Sequence, residues 1–232
     1  MNNINVPSRE YFHHYDPPET ALKTAGYFIE ALQASKEKIS SILKRRDNIT
    51  ILSFGSATER NIDELRRFMQ LERPAQYDKD HFLIIDIADH PLKKHMEYIA
   101  KNEYDNVSVI KGDMNRVPLP YHSIDLLITD CTMNFNLTVE DYSATIASIS
   151  DLLATDGQCI ATLSIHPETD QPENDLYLRQ TSVRTTAIKK LLLFKMLEEQ
   201  SLSHEIVEEM NDWPWSPSIR LILRRLHKNK PE

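Results

Sequence analysis

The sequence predicts an α/β fold: a seven-stranded, mostly parallel sheet with helices on both faces and a C-terminal antiparallel hairpin. Three observations predict it. Short, continuously apolar runs alternate with stretches whose apolar residues recur at helical spacing, as expected of strands buried on both sides by crossover helices. The last two strand-like runs, 205–210 and 219–226, are separated by only about eight residues around Trp213-Pro214-Trp215, too few for a helical crossover, so this pair runs antiparallel. Finally, the chain holds only four glycines in 232 residues, and three of them, Gly55, Gly112 and Gly157, fall where strands end or begin.

In chain order, residues 1–47 read as a helical extension or lid, with Pro17-Pro18 opening a helix and Leu22, Ala25, Ile29 and Leu32 at helical spacing. Residues 48–232 form the main domain. Its first strand, 49–54, stops at Gly55, and a helix carrying Ile62, Leu65, Phe68 and Met69 follows. The run 82–87 is the second strand, ahead of a helix with Leu92, Met96 and Ile99. Runs 107–110 and 124–129 are the third and fourth. Thr138 and Asp141 make a capping box for a helix bearing Tyr142, Ile146 and Ile149. Gly157 is read as turn chemistry before the fifth strand, 159–165, and a helix is expected over about 183–200.

Bulk properties narrow the function. The net charge of −8 disfavours a nucleic-acid surface, which needs clustered cations to displace counterions. The basic clusters at Lys44-Arg45-Arg46 and 224–230 are read as solvated element ends. No apolar run approaches the ~18 residues of a membrane helix, and the first residues lack the pattern of a signal peptide. Two cysteines without metal-ligand spacing fit a reducing, cytoplasmic setting, and no metal is expected.

Chemistry gathers at strand ends. The segment Ser53-Phe54-Gly55-Ser56-Ala57-Thr58-Glu59 reads as strand, tight turn and helix start, with small residues leaving room for a ligand. Glu59 also completes a capping box with Ser56. Asp86 ends the second strand, where a carboxylate can accept both hydroxyl hydrogens of a ribose; Asp89 is the better helix cap, which frees Asp86. Asp113 follows the third strand, suited to an adenine amino group with Met114 against the ring. A Pro-bounded loop, 117–121, feeds the fourth strand, which ends in Asp130.

This ordered set resembles the class I S-adenosylmethionine-dependent methyltransferases, especially the small-molecule group, over roughly residues 49–226. The resemblance implies a Rossmann-like sheet and S-adenosylmethionine as cofactor. It implies contacts from Ser53, Gly55, Ser56, Ala57 and Glu59, from Asp86 and Ile87, from Asp113 and Met114, and from Asp130 and the N-terminal Tyr15. A small-molecule acceptor is implied, methylated by in-line displacement, with Asp130, His166 or His14 as the candidate base. The family's first motif carries an acidic residue where Ser53 stands and glycines where Ala57 and Glu59 stand. Glu59 is the candidate substitute for the acid, and a weakened site is the alternative. Two rival readings remain: a catalytically silent scaffold of the same fold, and a nicotinamide-dependent oxidoreductase, which lacks both a G-x-G-x-x-G fingerprint and a Tyr-x-x-x-Lys pair here.

Overall fold

The parallel core is built from β1 (Thr50–Phe54), β2 (His81–Asp86), β3 (Val107–Lys111), β4 (Ile124–Asp130) and β5 (Leu153–His166). The computed structural model describes residues 26–45, 47–55, 58–130, 132–166, 176–180, 184–210 and 217–226. The strands lie side by side in the order β3-β2-β1-β4-β5, every pairing parallel. The closing pair, β8 (Leu202–Met210) and β9 (Ser218–Arg225), is antiparallel, and β9 lies antiparallel on β5. The seven strands read from the sequence are therefore present.

Two further strands were not foreseen. Residues 183–200 were expected as one helix, yet Arg184–Lys189 is a strand, β7, and the helix begins only at Lys190. Thr185, Thr186 and Ile188 are β-branched and favour extended backbone, whereas the leucine run that suggested a helix starts at Leu191. β7 pairs antiparallel with β6 (Leu176–Gln180) and parallel with the tip of β5, Ile165 opposite Ile188 and His166 opposite Lys189. β5 also begins earlier than expected, at Leu153, and runs through Gly157. That glycine serves close approach instead of a turn: a β-carbon there would stand 2.6 Å from the Ile124 carbonyl oxygen.

The alternation of side chains along the strands divides the core in two. Leu52 and Phe54 of β1 point to one face, where α5 (Val139–Leu152) and α6 (Lys190–Glu199) pack Tyr142, Ile146, Leu193 and Leu197 against them. Ile51 points to the other, with Ile62, Leu65, Phe68 and Met69 of α3 (Glu59–Glu72). α1 (Gly26–Ser35) and α2 (Ser40–Leu43) join this second face through Phe28, Leu32 and Ile42, so the described part of the N-terminal extension is built into the core. A buried clamp fixes it there. The Arg73 guanidinium donates to the Ile42, Leu43, Arg45 and Asp47 carbonyls and pairs at 2.8 Å with Asp80, which in turn accepts from the Ile49 amide.

Two caps differ from expectation and one agrees. Thr138 accepts from the Asp141 amide at 3.0 Å, as its spacing predicts. Thr58, not Ser56, is the N-cap of α3, so Glu59 is the first helical residue and not the third of a capping box. α4 (Asp89–Lys101) is entered through Ala88, whose amide donates to Asp86 Oδ1 at 2.9 Å; Asp89 points away to Lys111.

Candidate functional site

At the carboxyl edge of the sheet, backbone hydrogen bonds stitch the strand ends together. The Gly55 amide donates to the Ile85 carbonyl at 2.8 Å, and the Gly112 amide donates to the Asp86 carbonyl at 3.0 Å. Gly55, Asp86, Ile87, Gly112 and Asp113 thus lie along one continuous margin. Asp86 and Asp113 are both half-buried. Each carboxylate turns one oxygen back onto its own loop, Asp86 to the Ala88 amide and Asp113 Oδ1 to the Asn115 amide at 2.9 Å. Asp86 was expected to be released for ligand by a cap at Asp89; instead it braces the loop itself, because its carboxylate sits two residues before an amide that the helix start leaves unpaired. Met114 is half-buried and packs on the core beside Val117 and Leu119.

Gly55 adopts φ +61°, a conformation that favours glycine. A β-carbon there would meet Thr132 Cγ2 at 2.9 Å. Thr132 belongs to the 3-10 turn Thr132–Phe135 that follows β4, and its hydroxyl donates to the Phe54 carbonyl at 2.6 Å. Asn134 ties the same turn to β5, donating to Ser164 Oγ at 3.1 Å and accepting from the Ser164 amide at 2.9 Å. The turn is thereby fastened to both β1 and β5 and walls the space above β4.

Unfilled hydrogen-bonding capacity collects beside this wall. Ser53 Oγ, Thr129 Oγ1 and Asp130 Oδ1 are buried polar atoms with no partner among the described residues. Ser53 stands in register with Ile128, two residues before Asp130. Ser53 and Asp130 therefore share one face of the sheet and Thr129 points to the other; buried polar groups are nearly always satisfied, so the Ser53 and Asp130 orphans at adjoining strand ends mark a place for ligand or water. Burial pushes the Asp130 carboxyl up to about 6; Arg220 and a hydrogen bond from Thr162 oppose the rise, and the Glu30 carboxylate of α1 adds to it.

The other candidates are distributed differently. His166 ends β5 and is 5% exposed, its backbone paired with Lys189 of β7. Glu59 is half-buried in the first turn of α3. His14, Tyr15, Ser56 and Ala57 lie outside the described residues, as do Trp213 and Trp215. Arg220 was missed from the sequence. Its signal was a single cation inside the apolar run Ile219-Arg220-Leu221-Ile222-Leu223, a residue that must find a partner once the strand is buried. Basic residues of the two clusters are engaged in part: Arg45 pairs with Asp47 and Asp125, and Arg224 with Glu205.

A family model described as a methyltransferase domain matches residues 31–213. Among solved structures, the chain is similar to an S-adenosylmethionine-dependent methyltransferase from Clostridium acetobutylicum ATCC 824, with a TM-score of 0.63 and 12% identity, covering 93% of this chain and 98% of that one. The PH0226 protein from Pyrococcus horikoshii OT3 gives 0.62 at 14% identity, covering 95% and 100%. A SAM-dependent methyltransferase from Aquifex aeolicus gives 0.55 at 14%, covering 81% and 87%. At such identities the likeness concerns the fold alone.

Proposed function

Because this chain belongs to the methyltransferase-domain family, we propose that it transfers a methyl group from S-adenosylmethionine to a small-molecule acceptor by in-line displacement. The observation that carries this reading is the alignment of Gly55, Asp86 and Gly112-Asp113 on one sheet margin, next to the unpartnered atoms of Ser53 and Asp130. The residues suit the cofactor. Gly55 keeps open a space that a β-carbon would narrow against Thr132; we assign Asp86 to the ribose hydroxyls and Asp113 with Met114 to the adenine, a reading supported by their position on the same sheet margin.

When bound, S-adenosylmethionine supplies a methyl group already activated on a sulfonium. The protein's task is then mainly proximity and orientation. A proton on the nucleophile is taken up at Asp130 Oδ1, an oxygen otherwise unpaired. His166 and His14 are the other candidates for that role. Residues 1–47 are assigned to covering the site, a role supported by Glu30 of α1 lying close enough to act on Asp130. The assignment to a reducing, cytoplasmic location rests on the sequence, with two cysteines that lack metal-ligand spacing.

Calorimetric titration with S-adenosylmethionine and with NAD tests the reading. Binding of the first alone is expected, and Asp86→Ala should weaken it by about 1.5–3 kcal/mol, the worth of a hydrogen bond to a charged group. Unchanged affinity in that variant would remove Asp86 from the site. Binding of NAD alone would return the oxidoreductase reading, and binding of neither the scaffold.

A further inference from the structure

We propose that Arg220 is a positioning residue for Asp130, its guanidinium reaching across the sheet through Thr162 to fix the orientation and charge of that carboxylate. The role in catalysis rests on the methyl-transfer reading; the row of side chains does not.

The row follows from strand register. Asp130 of β4 is directly opposite Thr162 of β5, Thr162 is opposite Arg220 of β9, and Arg220 is opposite Glu208 of β8. Directly paired residues point to the same face, so four polar side chains cross four neighbouring strands in one line. With strands ~4.8 Å apart, the line spans about 14 Å, from the edge of the sheet to the end of β4. Two of its links are hydrogen bonds: Arg220 donates from Nη1 to Glu208 Oε2 at 2.7 Å and from Nε to Thr162 Oγ1 at 3.4 Å. At the third, strand register sets Thr162 beside the Asp130 carboxylate, whose charged form its hydroxyl favours.

Burial explains why the arrangement is more than a surface ion pair. The Arg220 side chain is 2% exposed, whereas that of Glu208 is 47% exposed. Dehydrating a guanidinium is costly, and a pair made only for stability gains nothing from having its cation inside the sheet. What the buried position adds is proximity to a second carboxylate. Among the described residues, the charged groups acting on Asp130 are Arg220 from β9 and Glu30 from α1, of opposite effect, with Glu208 balancing the far side of Arg220. Arg220 is thus the cation that offsets both the dehydration of Asp130 and the repulsion from Glu30. Thr162 adds direction: a hydroxyl that accepts from Arg220 has its own hydrogen left to donate to Asp130.

The test reads the carboxylate itself and needs no acceptor. Protein carrying 13C at aspartate carboxyls is titrated by NMR, and the Asp130 resonance is identified by its disappearance in Asp130→Asn. In Arg220→Gln the Asp130 midpoint should rise by one pH unit or more, a tenfold or greater gain in proton affinity. Thr162→Val should raise it by a smaller amount, and Arg220→Lys, which keeps the charge, should bring it back towards wild type. A purely packing role for Arg220 would lower stability and leave the midpoint where it was. That result in Arg220→Gln, or in Thr162→Val should Arg220→Gln not fold, overturns the proposal. Titration of the wild type with S-adenosylmethionine is run alongside. Failure to bind would sink the methyl-transfer reading while the midpoint shifts still decide the row.

Discussion

At Asp130, dehydration competes with a buried cation, and the outcome is visible in stability as well as in chemistry. The unfolded carboxyl titrates near its ordinary value of 3.8, the folded one at about 6. Between the two, the folded protein holds the additional proton, so this group lowers stability as pH rises through that window and the loss is complete above it. Asp130→Asn should therefore resist urea better than wild type by about 1–3 kcal/mol at about pH 8, with the difference vanishing below about pH 4. A variant that is equally stable at both extremes would contradict this account. Gly55→Ala combines a strained φ with contact against Thr132 and should cost about 1–3 kcal/mol while abolishing the heat of S-adenosylmethionine binding. Adding Thr132→Ala relieves the contact but not the φ, so stability should return only in part. The positions of Gly55, Asp86 and Asp130 at strand ends, and of Asp113 two residues past β3, were legible in the sequence because apolar runs stop there, and strand ends of a parallel sheet share one edge. The partnership of Asp130 with Arg220 was not. It depends on the register of three strands whose members are about thirty to ninety positions apart in the chain, a relation that no local pattern carries.

Elements whose ends carry their own chemistry behaved as their residues predict. Thr138 caps α5 through a single bond to the Asp141 amide, so Thr138→Ala should lower stability by about 1 kcal/mol, read as a shift in the urea midpoint at unchanged slope. The elements that escaped prediction lack punctuation. β7 ends at Lys189 and α6 begins at Lys190; α5 ends at Leu152 and β5 begins at Leu153. Neither junction has a glycine or proline between its elements, so a change from extended to helical backbone leaves no mark of composition, only a change in the spacing of apolar residues. At 184–189 that spacing was overruled by the leucines just downstream. Gly157 misled in the opposite sense. It looks like a stop, yet sits within β5 because the neighbouring strand passes too close for any side chain.

For the molecule as a whole, Arg73 decides whether the N-terminal helices belong to the cooperative unit. Its side chain and that of Asp80 are fully buried, as are its contacts with the Ile42 and Leu43 carbonyls, so Arg73→Met leaves an uncompensated carboxylate and should cost about 3–5 kcal/mol. In wild type, amides of α1 and α2 should exchange with solvent hydrogen as slowly as those of β1; in Arg73→Met they should exchange first. Equal loss of protection throughout would mean that the clamp stabilises the molecule without joining its parts. The sheet has one further property at this scale. Beyond β4, β5 carries β9 along residues 158–164 and β7 at residues 165–166 only. Among the described residues the sheet therefore branches, and it has three margins where an ordinary open sheet has two. The third margin is joined to the trunk by two backbone rungs and by Ile188 in the core, while its outer strand, β6, reaches the sheet through β7. A fold forked in this way can bend at one prong while the ladders of the trunk stay in register.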